Sequence, residues 1–135
     1  MSSITIKLKV KVNANVTTIY NLLLYDKTHL AHGVWEINPP STIIPKVPEV
    51  ESIFKCKKRS LAMVGPEGTV YYKATDGNNN PTEFKIYFDV PYWKKENTVE
   101  LTGGSEYYTL ELAGDYQTGD DPEAVLTITQ IGPTS

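Results

Sequence analysis

The stretch Ile4-Thr5-Ile6-Lys7-Leu8-Lys9-Val10-Lys11-Val12-Asn13-Ala14-Asn15-Val16 decides the fold class of this 135-residue chain. Every even position of the stretch is apolar, while the odd positions hold Thr, Lys or Asn. Alternation with a period of two places the apolar side chains on one face of an extended strand and the polar ones on the other. The stretch therefore predicts one long strand with a packed face and a solvated face.

The same strand signals recur along the rest of the chain. β-Branched and aromatic residues dominate 17–25, and further strands are predicted at 33–37, 51–57, 67–75, 82–90, 98–102, 106–113 and 124–131. The prolines between 39 and 48 predict an extended loop. The helical period nowhere holds over three turns, so we expect an all-β domain over residues 1–135, an antiparallel sandwich or barrel.

Two segments have the composition of tight turns. Residues 76–80 read Asp-Gly-Asn-Asn-Asn, and Gly103-Gly104 separates two predicted strands. Because Gly and Asn tolerate positive φ, each segment predicts a hairpin.

Charge and composition exclude several classes of function. The formal net charge of −3 and the pI near 5.4 argue against a nucleic-acid partner. The first ten residues alternate Lys with apolar residues, so we expect neither a secretory signal nor a membrane-spanning segment there. Cys56 is the only cysteine, which excludes an intramolecular disulfide and is compatible with synthesis in a reducing cytoplasm.

No catalytic or metal-binding motif stands out in the sequence. His29 and His32 lie three residues apart without a third ligand at metal-site spacing, which favours loop histidines over a metal site. Cys56 falls in a strand pattern, which favours a buried, inert thiol. The Gly-x-Ser-x-Gly and phosphate-loop motifs are missing, and the aspartates of 115–121 do not match a calcium loop. We therefore expect no enzyme activity, no metal and no cofactor.

The aromatic residues of 87–95 are the clearest sign of a binding surface. Alternation directs Phe88 inward and Tyr87 outward, and Pro91 ends the strand before a loop that carries aromatic and lysine residues. Rings beside lysines suit a lipid head-group layer or a sugar ring. The alternative is that Trp93 folds back as a lid on the core. The candidate membrane-binding or lipid-binding residues are Trp35, Tyr87, Tyr92, Trp93, Lys94 and Lys95.

A second set of residues is a candidate for partner contact. One member of each of the pairs Tyr71-Tyr72 and Tyr107-Tyr108 must face away from the core, because neighbours in a strand point to opposite faces. The lysines of 7–11 form a cationic row that suits an acidic lipid or a partner, although such rows also guard sheet edges from aggregation. The candidates are Tyr72, Tyr107, Lys7, Lys9 and Lys11.

Three separated motifs in register resemble the aegerolysin family. They are Asp26-Lys27-Thr28-x-Leu30-x-x-Gly33-x-Trp35, Glu67-Gly68-Thr69-Val70-Tyr71-Tyr72 and Tyr87-Phe88-Asp89-x-Pro91. Within that family the chain is most similar to the small component of the binary insecticidal toxins of Bacillus. The resemblance implies an antiparallel β-sandwich in which Trp35, Tyr92 and Trp93 match the family's tryptophan-bearing loops, which are associated with lipid recognition in the fungal members.

The resemblance also implies a function. It implies a non-enzymatic, membrane-interacting component of a two-part pore-forming toxin, which binds a lipid or receptor on the target-cell membrane and cooperates with a larger pore-forming partner. Assembly into a homo-oligomer on the membrane is compatible with it. We expect synthesis in the bacterial cytoplasm, with storage as a crystal or release without a signal peptide, and action at the target-cell membrane. The alternative from another class is a soluble, lectin-like carbohydrate-binding module.

Overall fold

Eleven strands are found in the computed structural model, which describes residues 2–75, 81–93 and 95–134. In chain order they are β1 (Ser3–Val12), β2 (Leu22–Leu24), β3 (His29–His32), β4 (Val34–Ile37), β5 (Thr42–Ile43), β6 (Glu49–Lys57), β7 (Glu67–Ala74), β8 (Thr82–Asp89), β9 (Thr98–Gly103), β10 (Tyr108–Ala113) and β11 (Glu123–Gln130). Within the described ranges, no helix is long and apolar enough to cross a bilayer.

The strands form two sheets that pack face to face as a β-sandwich. The first sheet has the order β10-β11-β1-β6-β4, and the second has the order β5-β2-β7-β8-β9 with β3 also paired to β7. Neighbouring strands run antiparallel except β1 and β11, which are parallel from Thr5↔Glu123 to Val12↔Gln130. The predicted all-β sandwich is confirmed.

The core consists of the side chains that alternation directs between the two sheets. From β1, Ile4, Ile6, Leu8 and Val10 are buried, and they share one cluster with aromatic and aliphatic residues of β6, β7, β8 and β11. Burial of each large apolar side chain contributes roughly 1.5–3 kcal/mol. The alternating stretch of the sequence thus supplies the middle of the first sheet.

The N-terminal strand is shorter than its pattern predicts, and most of the next predicted strand does not form. β1 ends at Val12, and of residues 17–25 only Leu22–Leu24 is a strand. The buried Gln130 side chain explains part of this, because its Nε2 donates to Thr18 O at 2.7 Å and its Oε1 accepts from Tyr20 N at 3.3 Å. A side chain thus bonds backbone groups that a neighbouring strand would otherwise pair.

The hairpin predicted around Gly103-Gly104 is wrong. β9 pairs with β8 in the second sheet and β10 pairs with β11 in the first, so this link crosses from one sheet to the other. Gly103 has φ +101°, and a Cβ there would lie 2.2 Å from Glu83 O. The glycines thus let the chain pass close to the backbone of β8 as it crosses from the second sheet to the first, and they do not form a turn between paired strands.

The other turn prediction concerns the link between β7 and β8. These strands pair antiparallel from Glu67↔Asp89 to Ala74↔Thr82, as a hairpin requires. The predicted turn at 76–80 itself lies outside the described residues. Two strands were not predicted: β3, and β5 within the expected proline-rich loop. Both are short and pair at the edge of the second sheet.

Candidate functional site

Two loops meet at one end of the sandwich. Loop 58–66 joins β6 to β7, and loop 90–97 joins β8 to β9. They lie together because Glu67 at the start of β7 is paired with Asp89 at the end of β8. Val90 N donates to Pro66 O at 2.9 Å, and a Cβ on Gly65 would lie 1.7 Å from Val90 O. Only glycine allows this backbone approach.

The tips of these loops expose large apolar side chains. Of the ten exposed large apolar side chains in the described residues, five belong to the two loops, and Leu61 (96% exposed) and Trp93 (66% exposed) are the most accessible. Exposed apolar patches of this kind mark sites of interaction with membranes or proteins. We call these five residues the two-loop patch: Leu61, Met63, Val64, Tyr92 and Trp93.

The aromatic half of the patch has a defined geometry. The rings of Tyr92 and Trp93 meet edge to face at 84°, with centroids 5.2 Å apart. Lys58 Nζ lies 5.9 Å from the centre of the Tyr92 ring and donates to Ala62 O at 3.0 Å. Lys58 therefore links the two loops through a cation–π contact, which contributes about 0.5–1 kcal/mol at exposed sites. Trp93 is not a lid on the core.

The aliphatic half contains a strained residue. Leu61 has φ +64°, the left-handed region that costs a non-glycine residue roughly 1–2 kcal/mol. Ala62 N donates to Arg59 O at 3.2 Å, which closes the turn that holds Leu61 outward. The free protein gains almost no burial from this side chain in return, so the conformation presents an apolar group to the surroundings.

Cations lie at the base of the patch. A pocket of about 660 Å³ is lined by Val34, Lys57, Lys58, Arg59, Ser60 and Leu61. On the other loop Lys95 is exposed, whereas the predicted site residue Lys94 lies outside the described residues. A second groove of about 580 Å³ runs between loop 90–97 and residues 117–120, with Tyr92, Lys95 and Asp120 in its walls.

Trp35 is packed against the core and only partly exposed. Trp35 lies on β4, and its ring packs edge to face against Phe54 at 5.9 Å and Phe88 at 6.0 Å. It is partly buried against the core, not part of a projecting loop. Trp35 therefore does not belong to the pair of exposed loops, and its predicted contact with lipid stays a prediction.

Tyr87 is also separate from the two-loop patch. It points away from Phe88, as predicted, and its hydroxyl donates to Glu67 Oε2 at 2.6 Å on the outer face of the second sheet. The hydrogen bond to Glu67 and partial burial raise the pKa of Tyr87. Burial and the neighbouring Glu67 also raise the pKa of Asp89. This acidic group lies behind the patch at the ends of β7 and β8.

The two predicted partner tyrosines have different surroundings. Tyr72 is buried, and its hydroxyl donates to Pro40 O at 2.6 Å, so its prediction as a surface contact is wrong. Burial raises the pKa of Tyr72. Tyr71 is the partly exposed member of its pair, and Lys27 Nζ lies 4.3 Å from the centre of its ring. Tyr107 is partly exposed and packs on Gly132, and its role stays a prediction.

The lysine row does not guard a sheet edge. β1 lies in the centre of the first sheet, between β11 and β6, so the edge interpretation is wrong. Lys7 Nζ is 2.9 Å from Glu123 Oε1, and that hydrogen bond raises the pKa of Lys7. Lys9 and Lys11 lie opposite Glu51 and Glu49. The row is thus compensated by acids on its own sheet, and partner contact there stays a prediction.

Chemically reactive groups are few at this site. Within the described residues, no group of three His, Cys, Asp or Glu side chains could hold a metal ion. Burial raises the pKa of the Cys56 thiol to about 12, so the thiol is protonated at neutral pH. The exposed end of the sandwich offers apolar and cationic side chains for surface contacts.

The fold and the site define a class: a β-sandwich that presents apolar loop tips beside cations at one end. A family model described as Aegerolysin matches residues 4–130. The chain belongs to the aegerolysin family, which consists of lipid-binding and generally non-enzymatic proteins. No curated protein matches the sequence significantly.

Solved structures share the fold. The RahU protein in complex with a Tris molecule is 22% identical with a TM-score of 0.64, and the match covers 96% of this chain and 97% of that one. IP-1A from Alcaligenes faecalis is 20% identical with a TM-score of 0.63, covering 95% and 91%. The lipid binding protein Nakanori is 13% identical with a TM-score of 0.53, covering 93% and 69%.

Sequence reasoning found the aromatic loop and missed its neighbour. The sequence does contain a signal for this second loop: residues 57–66 read Lys-Lys-Arg-Ser-Leu-Ala-Met-Val-Gly-Pro. Three cations precede an apolar run that does not alternate and that ends at a Gly-Pro breaker. Such a run fits an amphipathic loop tip better than a half-buried strand.

Proposed function

We propose that this chain binds membrane lipid through the two-loop patch and catalyses no reaction. Membership of the aegerolysin family implies a membrane-lipid-binding protein. The observation that carries the proposal is the exposure of five large apolar side chains on two touching loops at one end of the sandwich. A solved relative in fold, Nakanori, is described as a lipid binding protein, which also supports it.

The small apolar area of the patch favours reversible binding to a membrane. Each Å² of apolar surface removed from water contributes about 25 cal/mol, and the patch has only five side chains to bury. Contacts of this size hold a protein at the head-group layer without anchoring it permanently. Stable attachment then needs several linked copies or a second protein.

We therefore further propose that the chain is one component of a two-part, pore-forming and insecticidal toxin, like the small component of the Bacillus binary toxins. In this scheme the protein is made in the bacterial cytoplasm and acts at the target-cell membrane. There it binds a lipid or receptor, cooperates with a larger pore-forming partner and forms a homo-oligomer.

A carbohydrate-binding role is the second candidate, and the groove beside Tyr92 is the observation that favours it. An aromatic ring next to polar groups is the usual composition of a sugar site. However, the Asn97 side-chain amide donates to Tyr116 O and Gly119 O, both at 3.0 Å. Because its donors fix the adjacent loop, Asn97 has none left for a sugar hydroxyl, and we rank this role second.

Vesicle pelleting tests the membrane proposal. Trp93→Ala and Leu61→Ala should each lower the vesicle-bound fraction, with a loss of about tenfold in affinity for the tryptophan variant. Ile44→Ala is the matched control, because Ile44 is 61% exposed but follows β5 near the opposite end of the sandwich. It should bind like the wild type.

Pelleting that is equal for the wild type and both patch variants would refute the two-loop patch as the membrane site. Glycan binding that is lost in the same variants, without any vesicle binding, would favour the carbohydrate role instead.

A further inference from the structure

We propose that the pocket at the base of loop 58–66 takes the anionic head group of a membrane lipid, so that the protein prefers anionic bilayers. The inference rests on the proposed membrane binding and adds the class of lipid. It comes from the charge of the pocket lining, where three consecutive cations lie beside the exposed Leu61.

The pocket is cationic on one side and apolar on the other. Its six lining residues include three consecutive cations, Lys57, Lys58 and Arg59, and no acid. Its volume of about 660 Å³ falls within the range of small-ligand sites. A cationic lining next to an exposed leucine is complementary to a lipid that combines a negative head group with acyl chains.

The three cations have different surroundings. Lys58 Nζ donates to Arg59 O and Ala62 O and faces the Tyr92 ring, so it mainly organises the loop. Lys57 Nζ is 3.9 Å from Glu36 Oε1, while Lys55 takes the closer contact to Glu36 Oε2 at 3.0 Å. Lys57 is therefore only weakly neutralised.

Arg59 is the cation best placed to bind a head group. It is exposed, and among the described residues its guanidinium has neither an ion pair nor a hydrogen bond. A guanidinium is planar and forms two parallel hydrogen bonds to a phosphate or carboxylate. The guanidinium of Arg59 can thus donate two parallel hydrogen bonds to an anion.

The position of Arg59 in the loop matches the layers of a bilayer. Leu61 lies two residues further on at the exposed tip, followed by Met63 and Val64. When these side chains enter the acyl layer, Arg59 lies at the depth of the head groups, where each cation near an anionic surface contributes to binding. The loop therefore places charge and apolar surface at the depths where each is favourable.

Because the protein has a negative net charge, a preference for anionic bilayers would be informative about the contact site. A chain with formal charge −3 is repelled as a whole by an anionic surface. Charges beyond about 10 Å are largely screened at moderate salt, so any attraction to anionic vesicles has to come from groups at the contact. A preference for anionic lipid would thus report a local cationic site.

Vesicles of phosphatidylcholine alone and of phosphatidylcholine mixed with phosphatidylserine test the inference. The wild type should bind the mixed vesicles about tenfold more tightly or better, since each of two cations contributes about fivefold. Arg59→Gln should lose about fivefold on the mixed vesicles and change little on the neutral ones. Arg59→Lys, which keeps the charge, should retain most of the preference.

Lys46→Gln is the matched control, because Lys46 is an exposed cation close to Ile44 and remote from the pocket. It should leave the binding to both vesicles unchanged, and a thermal melt should show that each variant is folded. Equal binding of the wild type to the two vesicle types would overturn the anionic preference and leave the proposed membrane binding intact. A wild-type preference that survives unchanged in a Lys57→Gln, Arg59→Gln double variant would overturn the pocket assignment. Binding to neither vesicle type would refute both proposals.

Discussion

Leu61 combines two unfavourable properties in one residue. It has a left-handed backbone, and its apolar side chain is almost entirely in water. Neither property stabilises the free protein, whereas both are explained if the residue becomes buried in a lipid layer. Strain of this kind points to a function when the surroundings hold the residue in place, and Lys58 does so through its bond to Ala62 O.

Leu61→Asn should therefore separate stability from binding. Asparagine tolerates the left-handed region, so we expect the free energy of unfolding to rise by up to about 1 kcal/mol. Loss of the apolar tip should lower vesicle affinity at the same time. Urea unfolding and vesicle pelleting measure the two effects. Ile44→Asn, at an exposed position with an ordinary φ, should give no gain in stability, and an unchanged Leu61→Asn affinity would contradict the argument.

At the scale of single residues, alternation predicted which way side chains point but not which residues from distant strands pack against them. It correctly directed Phe88 inward and Tyr87 outward, and the proline after β8 correctly placed Tyr92 and Trp93 on a loop. It did not predict that the Trp35 ring contacts both Phe54 and Phe88. Those contacts depend on strands that are distant in sequence, and a local pattern does not contain them.

Gly65 sets the spacing between the two loops. Its missing side chain lets loop 58–66 approach Val90, and the bond from Val90 N to Pro66 O fixes that approach. The exposed leucine and tryptophan thus belong to one surface only while this contact is intact. The patch is consequently a property of two elements together and of neither loop alone.

Gly65→Ala should disturb both stability and membrane binding. The new Cβ has to displace backbone at Val90, so we expect a loss of about 1–3 kcal/mol in the free energy of unfolding and a lower vesicle affinity of the folded protein. Gly103→Ala is the control, because it also meets backbone but lies at the other end of the sandwich. It should lower stability without lowering affinity. Normal binding by folded Gly65→Ala would show that the loops act separately.

The long strands were predictable and the connections between them were not. β1, β6, β8 and β11 follow clear alternation; β6, β8 and β11 lie close to their predicted bounds, and β1 begins as predicted but ends four residues early. Gly103-Gly104 signalled a change of direction, but local chemistry does not tell which sheet receives the next strand. β3 and β5 are too short for a period of two to be recognised, and pairing with β7 and β2 defines them.

The whole molecule is suited to docking more than to perforation. Within the described ranges, each strand is paired in one of the two sheets. In the membrane binding that we propose, the two-loop patch would reach only the outer part of a bilayer, whose hydrocarbon core is about 30 Å thick. Perforation would therefore depend on the larger partner that we propose.

We accordingly expect this chain alone to bind vesicles without releasing an entrapped dye. Release should occur only after the larger partner is added, and it should fall in Trp93→Ala and not in Ile44→Ala. Dye-release fluorescence with each protein alone and with both together measures this. Rapid release by this chain alone would contradict the two-part scheme while leaving lipid binding in place.

The parallel pairing of β1 with β11 has a consequence for biosynthesis. β1 leaves the ribosome before the other ten described strands, but its neighbour on one side is β11, residues 123–130, which is translated after those ten. Until β11 emerges, a central row of amide and carbonyl groups has no partner. Nascent chains that stall before β11 is made would expose the unpaired edge of β1 as a template for aggregation. Once β11 is made, it pairs with this edge through contacts of long sequence separation, which form slowly.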